Sequence, residues 1–381
     1  MFRGRGEVVL KYDVNISPIV AKQLRSGKVT AFIPVTAADL IWQEAMEEYE
    51  SRRGVIMKVL ITGITGMVGS HLADYILDNY PNIEVIGLLR WRSPKDNIKH
   101  ILEKINLQYG DLEDGYSLKR ILRQQLPDSI FHLAAQSYVP FSFDAPIATL
   151  HTNVIGTANL LEAIKELKQE MDYDPFIHVC SSSEVYGQVR QEEIPILETN
   201  PFRPASPYAV SKVGEDMLAF QYWLSWGLRT VRTRMFTHTG PRRGEVFVES
   251  TFAKQIVSIE MGLQEPVIKV GNLDSIRTFL DVTDAVKAYW MLQQCPAGEV
   301  YNIGGKVTMS VGDMLDRMMS FSTAKDIEIE VDPSRLRPSD VTLQIPCIDK
   351  FVQATGWQPI VPFDQTLKSL LDYWRKQLSH V

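Results

Sequence analysis

Lys58-Val-Leu-Ile-Thr-Gly63-Ile-Thr-Gly66-Met-Val-Gly69-Ser-His-Leu-Ala-Asp-Tyr-Ile-Leu77 is the stretch that decides the fold. Its first five residues form a short apolar run of the kind that lies buried in a parallel strand. Gly63, Gly66 and Gly69 follow, and after them apolar residues recur at helical spacing. Strand, glycine turn and helix, in that order, are what a phosphate-binding loop requires. The glycines permit a tight turn and let a pyrophosphate approach the helix N-terminus, whose free N–H groups and dipole favour anions. The spacing is G-x-x-G-x-x-G rather than G-x-G-x-x-G.

Downstream the pattern repeats as strands alternating with helical segments. Glu84-Val-Ile-Gly-Leu-Leu89 reads as the second strand and ends in Arg90-Trp-Arg-Ser93. An acidic residue there would accept hydrogen bonds from a ribose 2′-hydroxyl, whereas arginines favour the 2′-phosphate of NADP. Gln108-Tyr-Gly-Asp-Leu112 reads as a strand and an adenine-contacting turn, and Ser129-Ile-Phe-His-Leu-Ala-Ala-Gln136 as a strand whose small-residue end lets backbone reach the cofactor. Asn153 to Ile164 continues as an amphipathic helix. This alternation predicts an α/β fold with a doubly wound parallel (Rossmann) sheet, joined to a smaller mixed α/β substrate-binding domain.

Composition narrows the class. The 381 residues are 45% hydrophobic and 23% charged, ordinary for a globular protein with a sizeable core. A net charge of −6 argues against a general nucleic-acid binder. The 3 cysteines (Cys180, Cys295, Cys347) lack metal spacing and fit a reduced, cytoplasmic protein. No apolar run reaches the ~18 residues of a membrane span, and no apolar segment of a secretory signal follows the basic N-terminus. Residues 1–56 do not read like the opening of the main domain. Val8-Val-Leu-Lys-Tyr12 suggests a strand and Ala37 to Glu50 a helix capped by Thr36, an appendage of unknown role.

The chemical equipment sits in Cys180-Ser-Ser-Ser-Glu-Val-Tyr-Gly187 and Tyr208-Ala-Val-Ser-Lys212. The first leaves the C-terminal end of the apolar strand Phe176–Cys180, where ligands bind in open α/β sheets. In the second, Tyr208 and Lys212 lie one turn apart on a helix opening near Ser206-Pro207. A phenol with pKa near ~10 is a poor base at neutral pH. An adjacent ammonium stabilises the phenolate, so the pair can move a proton in step with a hydride.

The glycine turn, the strand-end serines and the Tyr-x-x-x-Lys pair resemble the extended short-chain dehydrogenases/reductases. Within them, residues 57 to about 375 resemble the GDP-mannose 4,6-dehydratase family and its relative, GDP-4-keto-6-deoxymannose reductase. Arg90 to Ile101, Ala134 to Asp144 and Pro241-Arg-Arg-Gly-Glu245 lean toward the dehydratase. Phe252 to Met261, Val270 to Val282 and Leu336 to Val341 lean toward the reductase.

The resemblance implies that residues 57–236 and 279–304 bind NADP, and that 237–278 and 305–381 bind the sugar nucleotide. It assigns Ser182, Glu184, Tyr208 and Lys212 to catalysis. It puts Gly63, Thr65, Gly66, Met67, Val68, Gly69, Arg90, Asp111, Leu112, Leu133, Ala134, Ala135, Ser137, His238 and Arg243 beside the cofactor, with Tyr208 and Lys212. Thr237, Arg277 and Arg337 join Ser182, Glu184 and Tyr208 at the substrate, a GDP-sugar. The family carries Asn where Thr237 stands and an Arg-Lys pair where Ser250 and Thr251 stand. A reductase needs only Ser182, Tyr208 and Lys212, whereas dehydration also needs an acid/base at Glu184. A homodimer or homotetramer is the assembly the family implies.

Overall fold

The computed structural model describes residues 56–379, together with a two-stranded antiparallel ribbon, Phe2–Arg3 with Glu7–Val8. Apart from Val8, the strand expected at 8–12 lies outside the described residues, as does the helix expected from Ala37. From Lys58 onward the chain is one compact unit.

The opening run folds as β1 (Lys58–Thr62), and the glycine turn leads into α1 (Met67–Asn79). Next come β2 (Glu84–Leu89), β3 (Asn106–Tyr109), α2 (Gly115–Gln125) and β4 (Ser129–His132). They are followed by α3 (Gly156–Met171), β5 (Phe176–Ser182), α4 (Pro207–Trp226) and β6 (Arg229–Met235). Together with Val300–Ile303 these strands make one seven-stranded sheet. Its order is β3-β2-β1-β4-β5-β6 and then Val300–Ile303, every pairing parallel.

Both faces of the sheet are covered, which is why its strands read as continuous apolar runs. On one face Leu60, Ile86, Ile130 and Ile177 pack with Leu118, Leu160 and Ala219 of α2, α3 and α4. On the other, Phe131 stacks on Trp290 at 6.0 Å and Tyr80 lies 4.7 Å from the same ring. Trp290 belongs to the helix Val282–Met291, which runs over this face beside α1. The doubly wound architecture is therefore as expected.

A second cluster lies beyond the strand ends. It joins Phe252 and Ile256 of the helix Val248–Glu260 to Ile268, Phe279, Met314, Leu367 and Trp374. Met314 and Met318 of the helix Val311–Met319 are core residues. Trp357 is buried, its indole N–H donating to the Asp284 carbonyl at 3.2 Å. Small strands here form a separate four-stranded sheet. Ile276–Asp281 pairs antiparallel with Val307–Ser310 and parallel with Leu343–Gln344. Among the described residues no helix is long and apolar enough to cross a membrane.

Two histidines are locked inside the sheet. Thr62 Oγ1 accepts the Leu133 and Ala134 N–H groups at 3.0 and 3.1 Å, so its own proton goes to His132 Nδ1 at 2.9 Å. His132 Nε2 then donates to Thr157 Oγ1 at 3.0 Å, which fixes a neutral tautomer. His178 Nε2 lies 2.9 Å from Thr233 Oγ1. Burial pushes both imidazoles down to about 3. Their folded pKa values lie below the unfolded ones, so the stability they contribute is fully present above about pH 6.5 and is lost as pH falls toward 3. Denaturant midpoints measured at decreasing pH below neutrality should fall, each histidine adding a slope of up to about 1.4 kcal/mol per pH unit. A midpoint independent of pH there would show that these rings are not held neutral.

Candidate active site

The glycine turn works by lack of side chains at two positions. Gly63 has φ +73°, and a Cβ there would lie 2.9 Å from the Ala134 Cα. A Cβ on Gly69 would sit 2.3 Å from the Gly63 carbonyl oxygen, so the helix could not close onto the turn. Gly66 caps α1 with no side-chain hydrogen bond, which leaves the first N–H groups to an incoming anion. Asn97 donates to the Thr65 carbonyl at 2.9 Å and ties the basic loop to this turn. In that loop Arg90 is exposed, and the Arg92 guanidinium lies 5.5 Å from the ring of Trp91, itself 77% exposed.

At the chemical centre, β5 runs two residues further than expected, through Ser182, and a short 3-10 turn, Ser183–Tyr186, carries Glu184. The Ser182 hydroxyl accepts the Glu184 N–H at 3.2 Å. The helix α4 is capped at both ends. Ser206 Oγ accepts from Ala209 N–H at 3.0 Å, Pro207 fills the first turn, and Gly227 ends the helix at φ +64°. This capping holds Tyr208 in the first turn, over the strand end.

The Lys212 ammonium lies 5.9 Å from the Tyr208 ring centroid, and donates to the Cys180 carbonyl at 3.0 Å and to Glu215 Oε2 at 2.9 Å. Burial pushes the Tyr208 phenol up, while Lys212 and a hydrogen bond with Ser182 pull it back down. Burial works against the Lys212 charge, yet Glu215 and Tyr208 hold its pKa above the ordinary value.

Beneath α4 the expected uniform helix from Asn153 is interrupted. His151–Ile155 forms a π-helical turn that aims Asn153 inward. Its amide donates to Ser211 Oγ at 2.8 Å and to the Gln136 carbonyl at 3.0 Å, and its oxygen accepts the Gln136 N–H at 2.7 Å. A π-bulge is a common device at functional sites, and here it pins the loop after β4 to the helix that carries Tyr208.

The far end of the cavity is charged. Glu184 Oε1 accepts from Gln344 Nε2 at 3.0 Å. Asp340 lies 3.5 Å from Arg277 and 3.7 Å from Arg337, so both guanidinium groups share one carboxylate. Burial lowers the Arg277 pKa, opposed by Glu184 and Asp340. His238 Nδ1 donates to the Phe236 carbonyl at 3.0 Å, and burial beside Arg243 pushes its ring down to about 4. The Arg243 guanidinium lies 3.7 Å from the Phe247 ring centroid.

All the residues singled out from the sequence line one cavity of about 1320 Å³. The glycine turn from Gly63 to Gly69, with Thr65, Met67 and Val68, lies beside Arg90, Asp111 and Leu112 and beside Leu133, Ala134, Ala135 and Ser137. Ser182, Glu184, Tyr208 and Lys212 follow, then Thr237, His238, Arg243, Arg277 and Arg337. The sequence reading missed Asn153, Asp340 and Gln344, whose roles involve partners distant in the chain, and Glu215, which pairs with Lys212 one turn away.

A parallel sheet with a glycine turn at one strand end and a Tyr–Lys helix over another defines an extended short-chain dehydrogenase/reductase. The family model for GDP-mannose 4,6 dehydratase matches residues 60–370, and the chain belongs to that family. Its relatives include a GDP-6-deoxy-D-mannose reductase of Pseudomonas aeruginosa, 32% identical over 84% of this chain and 98% of its own. A GDP-mannose 4,6-dehydratase of Yersinia enterocolitica is 32% identical over 81% of this chain and 91% of its own. Among solved structures, RMD from Pseudomonas aeruginosa complexed with NADPH superposes with a TM-score of 0.72 at 31% identity, covering 84% of this chain and 99% of that one.

Proposed function

We propose that this chain is an NADP-dependent 4,6-dehydratase of a GDP-sugar, with GDP-mannose as the first candidate. The observation that carries the reading is the Glu184 carboxylate, which lies in the cavity with Ser182, Tyr208 and Lys212 and is steadied by Gln344. The cofactor fits the residues present, since side chains at Gly63 and Gly69 would fill the turn and α1 opens without a side-chain cap. The glycine turn would hold the pyrophosphate and Arg90 the 2′-phosphate. Asp111 and Leu112 would face the adenine. Leu133, Ala134, Ala135 and Ser137 would line the route toward the nicotinamide, near His238 and Arg243.

When bound, NADP would supply a hydride acceptor for the sugar C4 hydrogen and a hydride donor for C6. Tyr208, as phenolate, removes the O4 proton, with Lys212 stabilising its charge and Ser182 hydrogen-bonding O4. The C4 ketone makes the C5 proton acidic. Glu184 takes that proton and passes it to the departing C6 hydroxyl, so water leaves. C5 regains a proton from solvent as C6 is reduced, and Tyr208 releases its proton. Arg277 and Arg337 would leave Asp340 to grip the diphosphate, while Thr237 would touch the sugar. The same proposal includes the homodimer or homotetramer and the cytoplasmic compartment that the resemblance implies.

The reductase-like stretches and the reductase relative favour a second reading, NADPH-dependent reduction of a GDP-4-keto-6-deoxymannose. Purified protein incubated with GDP-mannose in heavy water, without added NADPH, separates the two. The expected product is the 4-keto-6-deoxy sugar with deuterium at C5. Turnover only of a 4-keto sugar, with stoichiometric NADPH oxidation, would overturn the dehydratase reading.

A further inference from the structure

Glu215 has no part in the chemistry above, yet it is buried and bonded directly to Lys212. It is 1% exposed, sits one turn beyond Lys212 on α4, and accepts from the Lys212 ammonium at 2.9 Å through Oε2. Its other oxygen is buried with no hydrogen-bond partner. Asp216, the next residue, is handled differently. It pairs with Arg232 and Arg234 of β6, each at 2.8 Å, and leaves neither guanidinium to Glu215. The charged and titratable groups acting on Glu215 are thus Lys212 and Asp216, with Tyr208 and the Cys180 thiol nearby; that thiol lies 3.0 Å from the Tyr289 hydroxyl.

A carboxylate taken fully from water with half its hydrogen-bonding capacity unmet needs a compensating return. Here the return is geometric. Lys212 has three N–H groups; the Cys180 carbonyl and Glu215 take two in fixed directions, and the third remains for the side on which Tyr208 lies. Without Glu215, the four-carbon stem of Lys212 would be anchored by one carbonyl. The carboxylate also opposes the ammonium electrostatically, so it moderates how strongly Lys212 favours the Tyr208 phenolate.

We propose that Glu215 is a positioning residue, fixing the Lys212 ammonium under Tyr208 and, as its counter-charge, setting the pH at which the Tyr208 phenol ionises. This rests on Tyr208 and Lys212 being the proton-transfer pair, whichever sugar is used. Burial pushes the Glu215 carboxyl up to about 7, so its charge is present where the phenol titrates.

The titration at the heart of the test needs no sugar. Phenolate absorbance is titrated in the full-length, cofactor-free protein, and subtracting the Tyr208→Phe titration isolates Tyr208. In Glu215→Gln, the Tyr208 phenolate should appear about one pH unit lower than in the parent, because the opposing negative charge is gone. Glu215→Met, neutral and of similar length, serves as the second neutral variant should the amide fail to fold. Glu215→Asp, which keeps the charge on a shorter stem, should restore the parent titration while kcat falls several-fold at unchanged KM. A neutral variant whose titration overlays the parent's overturns the proposal, as does an Asp variant that titrates like the neutral ones. A shifted titration in a protein that turns over no GDP-sugar would leave the proposal standing and remove the dehydratase reading.

Discussion

Tyr208→Phe should lower kcat by about 10³-fold, since general acid–base groups contribute about 10²–10⁴-fold. Tyr208 is 7% exposed, and the neighbouring hydroxyls Ser211 and Ser206 are committed: Ser211 donates to the Tyr208 carbonyl, and Ser206 caps the first turn. Phenylalanine keeps the ring packing and loses only the ionisable oxygen. Cofactor affinity, which we assign to the glycine turn and the basic loop, should therefore change by about tenfold at most, the ordinary value of one neutral hydrogen bond. Steady-state kinetics beside a fluorescence titration with NADP checks both halves. Loss of NADP binding in parallel with loss of turnover would make Tyr208 a structural residue instead.

Glu184→Gln should separate the two halves of the dehydratase reaction. The amide keeps an oxygen to accept from Gln344 and keeps the side-chain volume, so the site should not rearrange. What it loses is the ability to take a proton from C5 and hand it to the departing hydroxyl. Water elimination should fall by about 10³-fold, the usual range for a lost acid/base group. The first hydride step needs only Ser182, Tyr208 and Lys212, so mixing with GDP-mannose should give a reduced-nicotinamide absorbance stoichiometric with enzyme, followed by stalling. If the variant eliminates water at the parent rate, Glu184 is not the acid/base. If it reduces a 4-keto sugar unimpaired, the reductase reading gains.

The parts of this molecule visible in the sequence are those whose physics is local. The run Lys58–Thr62, the glycines after it and the helix beyond are one contiguous pattern, and the structure keeps the strand boundaries as written. Tyr208 and Lys212 were legible because a four-residue spacing on a helix brings two side chains together without help from elsewhere. What the sequence concealed depends on distant partners. Asn153 sits in a segment with ordinary helical spacing, and its π-helical turn follows from contacts with Gln136 and Ser211. Asp340 reads as a loop acid until Arg277 and Arg337 are seen on either side of it. Glu215 reads as a solvent-facing helix residue, because neighbouring Glu and Asp normally signal an exposed surface; only the arginines of β6 and Lys212 make room for both inside.

The Glu184–Gln344 hydrogen bond spans 160 residues of chain. During translation Glu184 emerges long before the residue that steadies it; at ~5–20 residues per second the interval is on the order of ten to thirty seconds. When Glu184 emerges the nucleotide-binding sheet still lacks β6 and Val300–Ile303, and both are made before Gln344. A nascent chain can thus form its glycine turn and flanking strands well before the Glu184 carboxylate is oriented, and a polypeptide ending ahead of Leu343 would carry the first without the second.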